Sequence, residues 1–588
     1  MGRTAKRVKE EHKLKKQIGR CTVAAALLVF SHTPKALLLV LGLTTGAAVA
    51  NDGYPRMDDV DILHYRILLE IGETGQAIQG ETTILAEMLA GGRDVLPLDL
   101  GPLTVDRVTV GGRSAVFTHS DHRLSIIFEE SYAEGDTVTV IVSYGGEPVD
   151  GLFIQPNKFG DRSVFADNWP NRARHWFPGV DHPYDKATAE FIVTAPAAYD
   201  VVANGRMLET TAVSPERKRT HWKTDAPIPT YCMVVGAARF SIVRPGSWRG
   251  IPVSYYLFPG DQDAGTTDFA RSTDMLAFYT DLFGPYPYAK LALVQSSTRF
   301  GGMENASAIF FSEHSITGTR RNEAVVAHEI VHQWFGDSVT ESDWHHLWLS
   351  EGFATYFGAV FFEEADGDER FHEMLDRSRS RVIDADRRAP APIFNPGITD
   401  LFDLLNAYNY SKGGLVLHML RGLMGDEAFF AGIRDFYARF RDQTALTRDF
   451  QSVMETRLGE DLGWFFDQWI FRAGHPVIEA TWSWDEQRGE VSVRLRQTQP
   501  QEPYRLPVTL AFVAGDRQER RQVELRDRSH EFRFKLDEAP DDVLVDPDSW
   551  LLMESRARRG TAKRSDPSGP TGRGGIEKYL TFKSYDTI

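Results

Sequence analysis

Residues 322–336 read Asn322-Glu323-Ala324-Val325-Val326-Ala327-His328-Glu329-Ile330-Val331-His332-Gln333-Trp334-Phe335-Gly336. Apolar side chains at 324, 325, 327, 330, 331 and 334 fit a buried helix that stops at Gly336. On that helix His328 and His332, four positions apart, project from one face about 6 Å apart, so both imidazoles reach a single ion. Two buried histidines and a glutamate need partners, and a metal removes the cost of leaving them unpaired. Glu351, in Trp348-Leu349-Ser350-Glu351-Gly352, begins a second helix and supplies a third ligand. Three protein ligands leave one corner of a tetrahedral zinc for water, which a hydrolytic site requires and a structural site lacks. The expectation is one zinc ion per chain, held by His328, His332 and Glu351.

Outside this segment, 588 residues are too many for one core, and two to four domains are expected. With 42% hydrophobic and 11% aromatic residues, disorder is excluded for the bulk of the chain. The first fifty residues stand apart: a basic segment from Arg3 to Arg20 precedes apolar runs at 22–30 and 36–50, each shorter than a spanning helix. Small residues Ala48-Val49-Ala50 predict a signal peptide cleaved after Ala50, the alternative being an uncleaved membrane anchor; either way the rest of the chain is exported, to periplasm, medium or outer membrane face. Without residues 1–50, 57 Lys and Arg face 80 Asp and Glu, a formal charge of −23 that disfavours nucleic acid as a partner. Only Cys232 then remains, so an intrachain disulfide is excluded.

Short strand-like runs at 65–71, 124–128, 137–142 and 191–194, punctuated by Gly-Gly pairs, predict an antiparallel β-sandwich over 51–246. Helical periodicity then takes over, at 274–282, 322–335, 351–363, 408–423, 427–440 and 462–471, and defines an α/β catalytic domain at 247–475. Alternation at 491–496 and further runs at 508–513 and 523–525 predict a small β-sandwich over 476–555. The stretch 556–588, basic and rich in Gly, Ser and Pro, reads as a disordered tail. The fold class is therefore multidomain α+β.

Gly301-Gly302-Met303-Glu304-Asn305 lies about two dozen residues before the metal helix. Together with His328-Glu329-x-x-His332, Glu351 and Tyr410-Ser411-Lys412-Gly413, it resembles the gluzincin aminopeptidases, the family of aminopeptidase N and the leukotriene hydrolases. The resemblance covers about residues 55–555 and rests on three separated motifs in family order. It implies a thermolysin-like catalytic domain and removal of the first residue from peptides with a free N-terminus. Glu329 would act as general base on the metal-bound water. Tyr410 would donate to the tetrahedral oxyanion, with Tyr408 as the alternative donor. Glu304 would pair with the substrate's α-ammonium group, and Gly301, Gly302, Met303 and Asn305 would line the path of the peptide. Asp337 is a candidate acceptor for a ligand histidine.

The match is incomplete in two respects. Before Pro170-Asn171-Arg172-Ala173-Arg174, where the family carries a second amine-binding side chain, stands Trp169; Asp167 or Asn168 is the substitute expected. Larger relatives also carry a helical C-terminal domain for which this sequence has no room, so a more open cleft and tolerance of varied peptide lengths are expected. Three rival readings remain: an epoxide hydrolase on the same fold, a zinc endopeptidase, and a non-catalytic binding protein stabilised by its metal. Retention of Glu329 and Tyr410 argues against the last, since neither is needed to hold an ion.

Overall fold

The computed structural model describes residues 52–560. The leader at 1–50, with the expectations of cleavage or anchoring, and the tail beyond 560 lie outside the described residues. Among the described residues no helix is long and apolar enough to cross a membrane.

The N-terminal part is β-rich because its strands alternate apolar and polar residues. Along Val60–Ile71, residues Ile62, Tyr65, Ile67, Leu69 and Ile71 are all buried, and a bulge between Ile62 and His64 corrects the phase of the alternation. The largest sheet runs in the order Arg206–Ala212, Arg217–Lys223, Lys186–Pro196, Val60–Ile71, Ile78–Met88, Thr137–Gly146, Thr104–Val110. It is not purely antiparallel, as the sequence suggested. Val60–Ile71 and Lys186–Pro196 pair in parallel, from His64 opposite Thr188 to Glu70 opposite Thr194. These two strands are separated by a long intervening chain rather than a tight turn, so hairpin geometry does not dictate their direction.

The catalytic part begins with a second sheet, in the order Ser241–Trp248, Ile251–Leu257, Leu291–Ser296, Ala308–Ser312, Gly302–Met303. Its first strand crosses the expected boundary at 246/247. Pro245 and Gly246 make a register shift within that strand, between Val243 and Gly246, rather than a linker. Every residue of Leu291–Ser296 and Ala308–Ser312 is buried, because both faces of this sheet are covered. Leu291, Leu293, Ile309 and Phe311 join the core formed with the helices. Ala292, Val294, Ala308 and Phe310 join the core formed with the N-terminal strands.

The helices are α1 (Gln262–Asp268), α2 (Ser272–Phe283), α3 (Glu323–His332), α4 (Trp348–Asp366), α5 (Asp368–Arg388), α6 (Gly413–Met424), α7 (Asp426–Phe440), α8 (Thr447–Leu458) and α9 (Gly463–Trp469). Helix α3 stops at His332, three residues short of the end expected at Phe335, and the chain turns through Gln333 and Trp334 before reaching Gly336, whose φ is +125°. A π-turn at Tyr408–Lys412 leads into α6, where the periodicity had suggested one unbroken helix. The C-terminal strands form one sheet in the order Ser529–Lys535, Glu490–Gln497, Val477–Asp485, Glu554–Arg559 and another in the order Arg517–Leu525, Leu506–Ala514, Asp542–Val545. Residues 556–559, assigned by sequence to the disordered tail, instead extend a strand parallel to Val477–Trp482, with Arg556 opposite Glu479. Charge opposes charge at that one pair, while Arg559 lies over the Trp482 ring at 5.0 Å.

Candidate active site

The candidate metal ligands converge because α3 packs directly against α4. The two helices approach so closely at Gly358 of α4 that a Cβ there would already be in van der Waals contact, at 3.5 Å, with the backbone nitrogen of His328. His328 Nε2 and His332 Nε2 are 3.0 Å apart, and Glu351 Oε2 is 3.1 Å from the former and 3.4 Å from the latter. Donors about 2.0–2.1 Å from a tetrahedral zinc stand about 3.3–3.4 Å from one another, so this triangle fits the ion closely. The tautomer fits as well. His332 Nδ1 lies 3.1 Å from the Phe335 carbonyl, which only accepts, so Nδ1 carries the proton and Nε2 turns its lone pair toward the cluster. Ser350 Oγ stands 3.0 Å from the same nitrogen. Asp337 does not hold a ligand histidine; its oxygens accept from Cys232 Sγ at 3.2 Å and Gln333 Nε2 at 2.8 Å.

Glu329 is buried, and its Oε2 has no hydrogen-bond partner among the described residues. Burial pushes its carboxyl up, opposed by His332 and reinforced by Glu304 and Glu351. Gly302 explains where that carboxylate sits: a Cβ there would be 2.3 Å from Glu329 Oε1 and 2.6 Å from Cγ. Glu304 is also buried, and its carboxyl is pushed up to about 7, first by desolvation and then, against the pull of His332, by Glu351. Carboxylate oxygens of Glu304 and Glu329 and a nitrogen of His332 all lie within 4.8 Å of one another. A cation placed among them would reverse these shifts.

Gln333, one residue past α3, fixes the segment that carries Glu304. Its Nε2 donates to the Glu304 carbonyl at 2.5 Å, and its Oε1 accepts from the Ser307 amide at 2.7 Å. Nothing in the motif spacing indicated this clamp. Asn305 is fully buried with neither amide atom hydrogen-bonded among the described residues, whereas Gly301, Gly302, Met303 and Glu304 line a cleft of about 490 Å³ with His328, Glu329, His332, Glu351 and Tyr410.

The two tyrosines separate cleanly. Tyr410 Oη donates to Glu351 Oε1 at 2.8 Å, and its ring stacks 5.9 Å from that of His328. Tyr408 Oη donates to the Ala389 carbonyl at 2.7 Å, away from the cluster. The π-turn gives these neighbours different bearings, a use to which such turns are put at functional sites. Of the two substitute amine anchors, Asn168 is fully engaged: it donates to the Thr230 and Met233 carbonyls and accepts from Trp176 Nε1 at 2.9 Å. Asp167 is paired with Arg172 at 2.5 Å, yet its Oδ2 is buried without a partner among the described residues. Burial raises its carboxyl to about 6 against the pull of Arg172 and Arg299.

Comparison with known proteins agrees with this arrangement. Residues 62–232 match the Peptidase M1 N-terminal domain and residues 268–469 the Peptidase family M1 domain. The chain belongs to peptidase family M1. Its relatives include aminopeptidase A of Gloydius brevicauda, 30% identical over 53% of this chain and 34% of that protein. Glutamyl aminopeptidase of Bos taurus is 30% identical over 54% of this chain and 35% of that protein. Tricorn protease-interacting factor F2 of Thermoplasma acidophilum is 27% identical over 73% of this chain and 56% of that protein. This M1 chain thus matches between about a third and just over half of the length of these relatives.

Proposed function

We propose that the protein is an exported zinc aminopeptidase that removes the N-terminal residue from peptides, on a thermolysin-like catalytic domain flanked by β-sandwiches. The observation that carries this reading is one cleft in which His328, His332 and Glu351 form a zinc-sized triangle while two further buried carboxylates, Glu329 and Glu304, remain uncommitted to any cation. Zinc bound by the triangle supplies an acidified water and a Lewis acid for the scissile carbonyl.

The chain's own residues have separate tasks. Glu304 pairs with the α-ammonium group, which sets the register so that the first peptide bond meets the metal site. Asp167 Oδ2 supplies the second carboxylate oxygen for that group. Glu329, whose Oε2 has no other hydrogen-bond partner among the described residues, takes a proton from the water and passes it to the leaving amine. Tyr410 donates its hydroxyl hydrogen to the oxyanion. Gly302 admits the peptide backbone close to Glu329.

An endopeptidase would leave Glu304 buried without a counter-charge in the substrate complex, which favours the exopeptidase. The relatives named aminopeptidase A and glutamyl aminopeptidase favour it too. The test is hydrolysis of an aminoacyl arylamide, its N-acetylated form and a lipid epoxide by the purified protein, with and without chelator. Hydrolysis of the free arylamide alone, lost on chelation and restored by zinc, is expected. In Glu329→Gln, turnover falls by several orders of magnitude while zinc content is kept, because a base is lost and no ligand is. Equal cleavage of the acetylated substrate refutes the reading.

A further inference from the structure

The cleft has a wall that the motifs did not announce. Arg370, Met374, Arg377, Ser378 and Arg381 of α5 line the same cavity as the metal-binding triangle. Their spacing of three or four places them on one stripe of the helix, while Phe371, Leu375 and Val382 are the apolar residues α5 buries. Other arginines on α5 are used structurally: Arg379 is tied to Asp376 and, at 2.7 Å, to the Ser549 carbonyl, and Arg387 pairs with Glu554 at 2.6 Å. Of the cleft-lining ones, Arg370 pairs with Glu373 at 3.3 Å and lies over the Phe362 ring, whereas the two farther along are barely engaged. Arg381 has no hydrogen-bond or ion-pair partner among the described residues. Arg377 has only Glu373 at 3.8 Å, with the two side chains 66% and 51% exposed, a pair worth little.

The cleft is therefore polarised, with Glu304, Glu329 and Glu351 deep in it and a basic row along α5 in which a single acid, Glu373, faces Arg370 and Arg377 while Arg381 has no partner among the described residues. A peptide is polarised in the same sense. With its ammonium group at Glu304 and its first carbonyl at the metal site, everything left of the substrate lies on the leaving side of the scissile bond. Resting on the aminopeptidase reading, we infer that Arg377 and Arg381 bind a carboxylate carried by that leaving portion, either the free C-terminus or an acidic side chain. Residues four apart stand about 6 Å apart on a helix, so two guanidinium groups converge on one carboxylate. From Arg370 to Arg381 the helix rises about 16 Å, which matches the reach of four or five extended peptide residues. One row thus serves substrates of several lengths.

The experiment compares kcat/KM of the zinc-loaded full chain on leucine-initiated alanine peptides of three to five residues, as free acids and as C-terminal amides. A matched amide with one glutamate after the first residue, and one beginning with glutamate, complete the set, and leucyl arylamide is the carboxylate-free reference. The wild-type protein should prefer acid over amide about ten-fold, through KM. An internal glutamate should restore the amide if the side chain is an accepted source, and leave it slow if the C-terminus alone is. In R377Q/R381Q the preference should fall towards unity relative to the arylamide rate, and R377K/R381K should keep part of it, since lysine retains the point charge and loses the fork. Acid and amide cleaved equally by the wild type, or a preference untouched in the Gln variant, would reduce the row to a solvated face and overturn the inference. A loss confined to peptides with an acidic first residue would overturn the leaving-side placement. Failure of the wild type on the arylamide itself would instead refute the aminopeptidase reading.

Discussion

Gly302→Ala isolates the placement of Glu329, the proposed general base, from its chemistry. Gly302 has an ordinary backbone angle, so alanine adds no φ strain. What it adds is a methyl group 2.3 Å from Glu329 Oε1, 2.5 Å from Cδ and 2.6 Å from Cγ. Carbon contacts settle near 3.5–4.0 Å, so the carboxylate must retreat by about 1 Å. The retreating atoms are the end of one side chain, and neither His328, His332 nor Glu351 has to move. Fold and zinc content should therefore survive. A 1 Å error at a catalytic group costs about 10²-fold, or about 2.7 kcal/mol of barrier. The measurement is kcat on an aminoacyl arylamide beside zinc by elemental analysis and a thermal melt. Turnover within about three-fold of wild type, in a folded and zinc-loaded variant, would show that the Glu329 position does not limit the reaction. Loss of zinc would show that Gly302 protects the ligands instead.

Four other outcomes are expected. Tyr410→Phe should lower kcat about 10²-fold with KM nearly unchanged, as for loss of one oxyanion donor. Tyr408→Phe, losing a hydroxyl that donates to the Ala389 carbonyl beside Asp386, away from the cluster, should cost about 1 kcal/mol of stability in urea unfolding and spare turnover. Gly352→Ala should destabilise the protein by about 1–3 kcal/mol in the same assay, because its Cβ would meet the Gly413 backbone at 2.9 Å, where neither helix can yield alone. Acid should destabilise the protein through two buried histidines: desolvation holds His346 down to about 4 and His418 down to about 3. Unfolded histidine titrates near 6.5, so their contribution is complete above that pH and is lost as pH falls toward 4, with a slope of up to about 1.4 kcal/mol per unit for each. Urea midpoints at pH 7 and 5 check this, and His418→Gln should flatten the slope.

The helix of His328 and His332 was legible because its apolar period and its two histidines lie within one short segment, though it ends at His332 and not at Gly336. The motifs put Glu351 and Tyr410 forward, with Tyr408 as the alternative donor; that the Tyr410 hydroxyl reaches Glu351 while Tyr408 turns away follows from the π-turn, which periodicity does not encode. Helix α5 escaped notice because its apolar burial is sparse, Phe371, Leu375 and Val382 amid charged residues. The cleft arginines escaped with it. The Gln333 clamp and the dependence of Glu329 on Gly302 are contacts between segments dozens of residues apart, for which local pattern carries no signal. The expected boundary at 246/247 falls inside a strand for a related reason: Pro245 and Gly246 break a strand's register as readily as they make a linker.

The central sheet, with alternate residues of each strand committed to different cores, makes severing the two halves of this protein a losing bargain. A fragment starting near residue 240 would present Ala292, Val294, Ala308 and Phe310 to water, and the complementary fragment would lose the surface that covers its own strands. Each piece alone should aggregate. Produced together in one cell, they should find each other and regain hydrolysis, which makes the chain a natural scaffold for a split reporter enzyme.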